Sequence, residues 1–200
     1  MLSPSLTRFP KWLLIALTAV TALSAPGAVP DPSPLACKTM NTASLPLATR
    51  KSPLDSVSFN VGSTSVKVCY GRPSLRGRHM VGGEAVPFGK LWRTGANEPT
   101  MIHTTGPLKI AGVSVPAGSY SLYTVPGASE WEVIVNRSIT QWGEEHNYTD
   151  AVKAQEVGRG KVKSESLKDP VEMFTITSES GALVLSWETT RVKIPVAPGS

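Results

Sequence analysis

Residues 57–70 read Val57-Ser58-Phe59-Asn60-Val61-Gly62-Ser63-Thr64-Ser65-Val66-Lys67-Val68-Cys69-Tyr70. Val57, Phe59 and Val61 alternate with Ser56, Ser58 and Asn60, so an extended chain here is apolar on one face and polar on the other. Gly62-Ser63-Thr64 interrupts the alternation. Val66, Val68 and Tyr70 then resume it against Lys67 and Cys69. The pattern predicts an antiparallel hairpin with one buried face.

The same period continues downstream. Leu108 and Ile110, then Val113 and Val115, flank Ala111-Gly112. Pro116-Ala117-Gly118 leads into Tyr120, Leu122 and Thr124, and Pro126-Gly127 turns the chain again. Trp131, Val133 and Val135 alternate with Glu130, Glu132 and Asn136. Met173 to Ile176, Leu183 to Trp187, and Val192, Ile194 and Val196 complete the set. Thr149 to Val157 is ambiguous, because Thr149 and Asp150 can cap a short helix while Val152 and Ala154 also fit a strand. The reading is an all-β domain: a single β-sandwich, jelly-roll or Ig-like, of about 8–10 antiparallel strands over residues 52–197.

Composition agrees. The 200 residues are 40% hydrophobic and only 18% charged, with 17 glycines and 17 prolines. That is too apolar for a disordered chain and too rich in turn formers for a helical bundle. Ahead of the domain, Arg8 and Lys11 precede the uncharged apolar run Trp12 to Ala25, which is shorter than the ~20 residues of a membrane span. This predicts a secretory signal peptide over residues 1–24, with small residues Ala22 and Ser24 at −3 and −1 of the cut. No stable membrane span is expected after cleavage. The formal charge of +5 falls to +3 once Arg8 and Lys11 leave, which gives no reason to expect nucleic acid. Residues 25–51, rich in Pro, Ala, Ser and Thr, read as a flexible tether. Leu35-Ala36-Cys37 resembles the end of a lipidation motif, but Pro34 at −3 and the distance from the apolar run argue against it. Cys37 and Cys69 in an exported chain are free to pair, which would pin the tether to the second strand. The alternative is a half-buried Cys69 and an unpaired Cys37.

The densest chemistry lies in Cys69-Tyr70-Gly71-Arg72-Pro73-Ser74-Leu75-Arg76-Gly77-Arg78 and Val86-Pro87-Phe88-Gly89-Lys90-Leu91-Trp92-Arg93-Thr94-Gly95-Ala96-Asn97-Glu98. These motifs, with VPAGSYSLYTVPG at 115–127, EWEVIVN at 130–136, QWG at 141–143 and LSWETTRVKIPV at 185–196, resemble the domain-of-unknown-function family 2911 of exported bacterial proteins. The resemblance covers roughly residues 52–197. It implies export and one compact domain, and it implies no established reaction and no catalytic residue.

Read from the residues themselves, Arg72, Arg76, Arg78 and Arg93 are candidates for an anion site. Arginine offers a charged fork of N–H donors that suits phosphate, sulfate or carboxylate. Trp92 would supply a stacking face for a glycan, and Asn97 and Glu98 would orient polar groups. In the structural alternative, an arginine packed on Trp92 and paired with Glu98 fastens a long loop, and Tyr70, Trp92 and Trp131 are core. Three functions follow: a non-enzymatic binding module for a small anion or glycan, an envelope hydrolase using Glu98 near Arg93, or an envelope docking factor. The protein is expected to be secreted or periplasmic, and monomeric or weakly associated. His79, His103 and His146 are isolated, with His103 expected on the outer face of a strand. No spacing suggests a metal or cofactor. No nucleophile motif occurs.

Overall fold

The computed structural model describes Met1 and residues 35–199. Apart from Met1, the expected leader (1–24) and the first part of the expected tether (25–34) lie outside those residues. The hairpin of residues 57–70 is present as β1 (Leu54–Val61) and β2 (Thr64–Gly71), with Val61 opposite Thr64 and Val57 opposite Val68. Gly62, at φ +61°, supplies the left-handed turn residue that such a tight connection needs.

Seven further strands follow: β3 (Thr100–Thr104), β4 (Leu108–Ile110), β5 (Val113–Val115), β6 (Gly118–Val125), β7 (Glu130–Asn136), β8 (Glu156–Glu179) and β9 (Ala182–Pro198). The domain is all-β. Its strands join one antiparallel sheet in the order β1-β2-β3-β6-β7-β8-β9-β4-β5. The only α-helix among the described residues is the single turn α1 (Asp150–Lys153), with Thr149 as its cap. The ambiguous segment is therefore helical first and extended from Glu156.

β8 and β9 fold the sheet back on itself. The first part of β8 pairs with β7 and the remainder with β9, through register shifts between Ser166 and Val171 and between Val171 and Thr175. The far half of β8 then lies over the start of the sheet. Leu75 N–H donates to Glu172 O, Phe174 N–H to Pro73 O, and Tyr70 OH to Ile176 O. Two strands expected separately, at 183–187 and 192–196, are the two limbs of β9. Glu188 between them sits at φ +53°, so the strand bends there without ending.

The fold encloses an aromatic centre. The Trp92 ring stacks on Trp187 at 5.7 Å and 14°, and meets Phe174 and Trp131 edge-on at 5.2 and 6.0 Å. Tyr70 closes on Phe174 at 5.7 Å. Each edge-on or offset pair contributes ~0.5–1.5 kcal/mol beyond the area it buries. The rings sit among Val66, Val68, Ile102, Leu122, Val133, Leu185 and Ile194, all buried and drawn from alternate strand positions.

In place of a flexible tether, residues 35–51 form a docked arm. Cys37 is bonded to Cys69 of β2, Leu35 is buried, and Met40 N–H donates to Glu98 Oε1 at 2.6 Å. Arg50 ends the arm with its guanidinium on Glu98 at 2.7 and 3.0 Å and on Met40 O at 2.8 Å. His103 does face away from Ile102 and the core, but it is not exposed. It retains 2% exposure beside Cys69 and Met101, and its Nδ1 lies 2.8 Å from Ser119 Oγ.

Candidate functional site

Three stretches meet around a cleft: the arm's end at Lys51 and Ser52, the loop after β2, and the loop before β3. The loop after β2 is held to β8 by the Leu75 and Phe174 backbone bonds described above. Arg76 and Gly77, at φ +51° and +73°, then reverse the chain, and Arg78 N–H closes the turn on Leu75 O at 3.0 Å. This turn sets Arg76 and Arg78 on the same wall. With Lys51, Ser52 and Ser74 they line an outer chamber of about 440 Å³.

The guanidiniums here are held by carbonyls, not by carboxylates. Arg78 Nε donates to Leu75 O and Nη2 to Ser74 O, both at 3.0 Å, and Arg76 Nη2 donates to Lys51 O at 3.0 Å. Glu172 stands nearby, and its Oε1 accepts the Arg76 backbone N–H at 2.9 Å. Among the described residues, Lys51, Arg76 and Arg78 make no ion pair. Each arginine keeps N–H donors directed by backbone contacts and free of a counter-charge.

Ser52 and Arg78 also line an inner chamber of about 250 Å³. Its wall is Pro73, Met80, Ala85, Val86, Trp92 and Trp187, with Arg93 and Glu145 at its polar margin. The loop that carries Trp92 and Arg93 is fastened to β6 by reciprocal backbone bonds between Trp92 and Thr124 at 2.8 and 2.9 Å. Thr94 is buried at φ +57°, a costly conformation for a β-branched residue. Thr124 Oγ1 at 3.0 Å and the Thr100 hydroxyl on Thr94 O at 2.6 Å hold it there. Gly143 lies against Arg93 Cδ and Asn97 O, where a Cβ would collide. That close approach holds the Arg93 stem under the 141–145 loop, with Nη1 4.0 Å from Glu145 and Nε lacking an acceptor among the described residues.

The seven residues expected in the site divide into three groups. Arg76, Arg78, Trp92 and Arg93 line the two chambers. Asn97 supports them, donating from Nδ2 to Ser52 O at 2.9 Å. Arg72 and Glu98 are engaged elsewhere. Arg72 pairs with Asp55 at 3.2 Å and donates to Phe174 O and Thr175 Oγ1. Glu98 is joined to Arg50, not Arg93, and lines neither chamber. Trp92 is 4% exposed with Trp187 stacked on it, so it offers only a margin to the inner chamber and no free face for a sugar. Lys51, Ser52, Met80, Glu145 and Trp187 were not expected. Lys51 and Ser52 fall at the junction of the supposed tether and the domain, and Trp187 is far along the chain.

The phenols below the cleft are structural. Burial pushes the Tyr70 hydroxyl up, and it pushes Tyr123 up to about 12 against a hydrogen bond from Gln141. Both remain protonated near neutral pH. Among the described residues no group of three or more His, Cys, Asp or Glu side chains is placed to hold a metal. No helix among them is long and apolar enough to cross a membrane.

A family model described as "Protein of unknown function (DUF2911)" matches residues 52–196. The chain belongs to this family. No curated protein and no solved structure gives a significant match to it. The family span begins at Ser52 on the lip of the cleft and takes in Arg76, Arg78, Trp92, Arg93 and Trp187. Cys37, Arg50 and Lys51, which fasten the arm and complete the outer chamber, precede it.

Proposed function

We propose that the protein is an exported, non-enzymatic binding module that takes a small anionic ligand at the mouth of this cleft. The observation that carries the reading is the pair Arg76 and Arg78, whose guanidiniums are held by backbone carbonyls and form no ion pair among the described residues. Both arginines are exposed at the mouth, where an anion can reach them, and donors fixed by the backbone need little reorganisation to accept it. Lys51 adds a third positive charge to the same wall. The Cys37–Cys69 bond supports export, since such bonds persist in oxidising compartments.

A thermal-shift screen of the full-length protein against inorganic phosphate, sulfate and glucuronate tests the reading. A native-state ligand at a hundredfold excess over its dissociation constant adds ~2.7 kcal/mol. A rise in Tm with one of these anions, lost in Arg78→Ala, is the expected result. A flat screen, or a shift that survives Arg76→Ala/Arg78→Ala, would sink it. For export, cell fractionation with N-terminal sequencing should find the protein outside the cytoplasm and beginning at Ala25. An intact Met1 on cytoplasmic protein would count against that part.

A further inference from the structure

The two chambers of the cleft adjoin at Ser52 and Arg78 and differ in the side chains that line them. The outer one carries Lys51, Arg76 and Arg78, and the inner one is walled chiefly by Met80, Ala85, Val86, Trp92 and Trp187. Arg78 and Ser52 stand at the boundary and line both. We propose that the ligand is an amphiphilic anion, with a phosphate, sulfate or carboxylate head in the outer chamber and a flat apolar group, about one aromatic ring, in the inner one. This rests on the binding reading given above and adds the ligand's other half.

A bare inorganic anion would leave the inner chamber unused, with exposed Ala85 and the margins of Met80, Val86, Trp92 and Trp187 uncovered. Covering such surface is the main non-directional driving force for association. The size is informative. An apolar cavity of ~150 Å³ accommodates benzene, whereas drug-sized ligands occupy pockets of ~300–1,000 Å³. The inner chamber, at about 250 Å³, falls between and suits a ring with a few further atoms. A sugar ring of the same size would meet Ser52, Arg78, Arg93 and Glu145 on one side only and would set its other hydroxyls against Met80, Ala85 and Val86, whose side chains offer no hydrogen bond, and polar groups left unpaired there oppose binding. Arg93 does not make the chamber ionic. It lies 4.0 Å from Glu145, so the margin carries both signs, and a guanidinium beside a ring is a favourable contact.

Titration calorimetry on the full-length protein tests this with matched probes: phenyl phosphate against phosphate, phenyl sulfate against sulfate, and benzoate against acetate. In at least one pair the ring-bearing anion should bind roughly tenfold or more tightly. Glucose 6-phosphate should bind no more tightly than phosphate. Ala85 is exposed at the rim, so Ala85→Trp should fold normally, fill the inner chamber and erase the ring's advantage while leaving the ringless anion bound. Arg78→Ala should weaken both members of a pair. Equal affinity within each pair overturns the amphiphile but leaves the anion reading standing. A ring preference that survives Ala85→Trp, or tighter binding of glucose 6-phosphate than of phenyl phosphate, also overturns it. If no probe binds, both readings fall together.

Discussion

On the arm side of the cleft, Arg50 has no exposed side-chain surface and lies against a Glu98 carboxylate that is 5% exposed. At the mouth, the guanidiniums of Arg76 and Arg78 donate to the carbonyls of Lys51, Ser74 and Leu75. The residue type is the same and the consequences are opposite. The buried guanidinium is neutralised and fastens the arm to the 97–98 loop. The guanidiniums at the mouth are positioned but not neutralised. What separates them is whether a carboxylate meets the guanidinium itself, as Glu98 does for Arg50, or only the backbone, as Glu172 does for Arg76. Arg72 shows the intermediate case, half-exposed and paired with Asp55 at 3.2 Å, an ion pair of a kind worth only ~0–1 kcal/mol.

The comparison breaks most visibly at its buried end. Arg50→Ala leaves the Glu98 charge in the interior without its partner, a change that typically costs ~3–5 kcal/mol. Chemical denaturation should show a loss of that size, and Glu98→Gln should show a comparable one, because it leaves the Arg50 guanidinium buried without its counter-charge. If Arg50→Ala melts like the parent, the arm is not held by this pair. Cys37→Ser, or reduction of the bridge, should come next, at ~2–4 kcal/mol for a closed loop of this length. The two changes act on the same arm and should be less than additive.

At the mouth the expected signs separate stability from binding. Arg76→Ala and Arg78→Ala remove no ion pair, and surface changes of this kind usually fall within ~0.5 kcal/mol of the parent. Their effect should appear instead on anion affinity, ~1.5–3 kcal/mol for a hydrogen bond to a charged group. Calorimetry alongside denaturation reads both. A large stability loss in Arg78→Ala with unchanged affinity would place that arginine with Arg50, and the distinction between the two regions would vanish.

Most of the fold was legible because burial on one face forces a period of two, as in Val57 to Val61 and Trp131 to Val135. β8 was largely silent. Between Arg159 and Val171 only Val162 is buried, opposite Trp131, and the rest are mostly polar and exposed, so this part of the strand is specified chiefly by backbone pairing to β7 and β9. Register shifts at Ser166 and Val171 disturb what alternation remains. β9 was visible but divided in two, because the bend at Glu188 interrupts its pattern. In the site, Arg76, Arg78 and Trp92 stood out as a local cluster. The partner of Glu98 did not, since Arg50 lies 48 positions away and pairing across such a distance leaves no mark in local spacing. Lys51 and Ser52 were hidden for a related reason: the arm's composition resembles a linker, and only the disulfide and the Arg50 contact convert it into a wall of the cleft.

The smallest effect at neutral pH, and one that grows only on acidification, belongs to the covered face under the arm. Burial lowers the His103 pKa, and the positive charges of Lys67 and Lys38 lower it further. In the unfolded chain the imidazole returns to about 6.5. Below that value the unfolded state binds a proton that the folded state refuses, so stability falls with falling pH; above it neither state is protonated and the group contributes nothing. Tm measured from pH 8 to pH 5 should therefore begin to decline near 6.5, and His103→Gln should flatten that decline. Carboxylates held low in the fold act in a separate window. Glu156 is held down by Arg159, and Glu188 by His79 and the Val81 and Met80 N–H groups against the upward push of burial. Their contributions are lost only below about 4.5. Reduction of the Cys37–Cys69 bond supplies the control. If the arm is what buries His103, the reduced protein should lose the slope near 6.5 along with its overall stability, whereas an unchanged slope would show that β2, β3 and β6 bury the ring unaided.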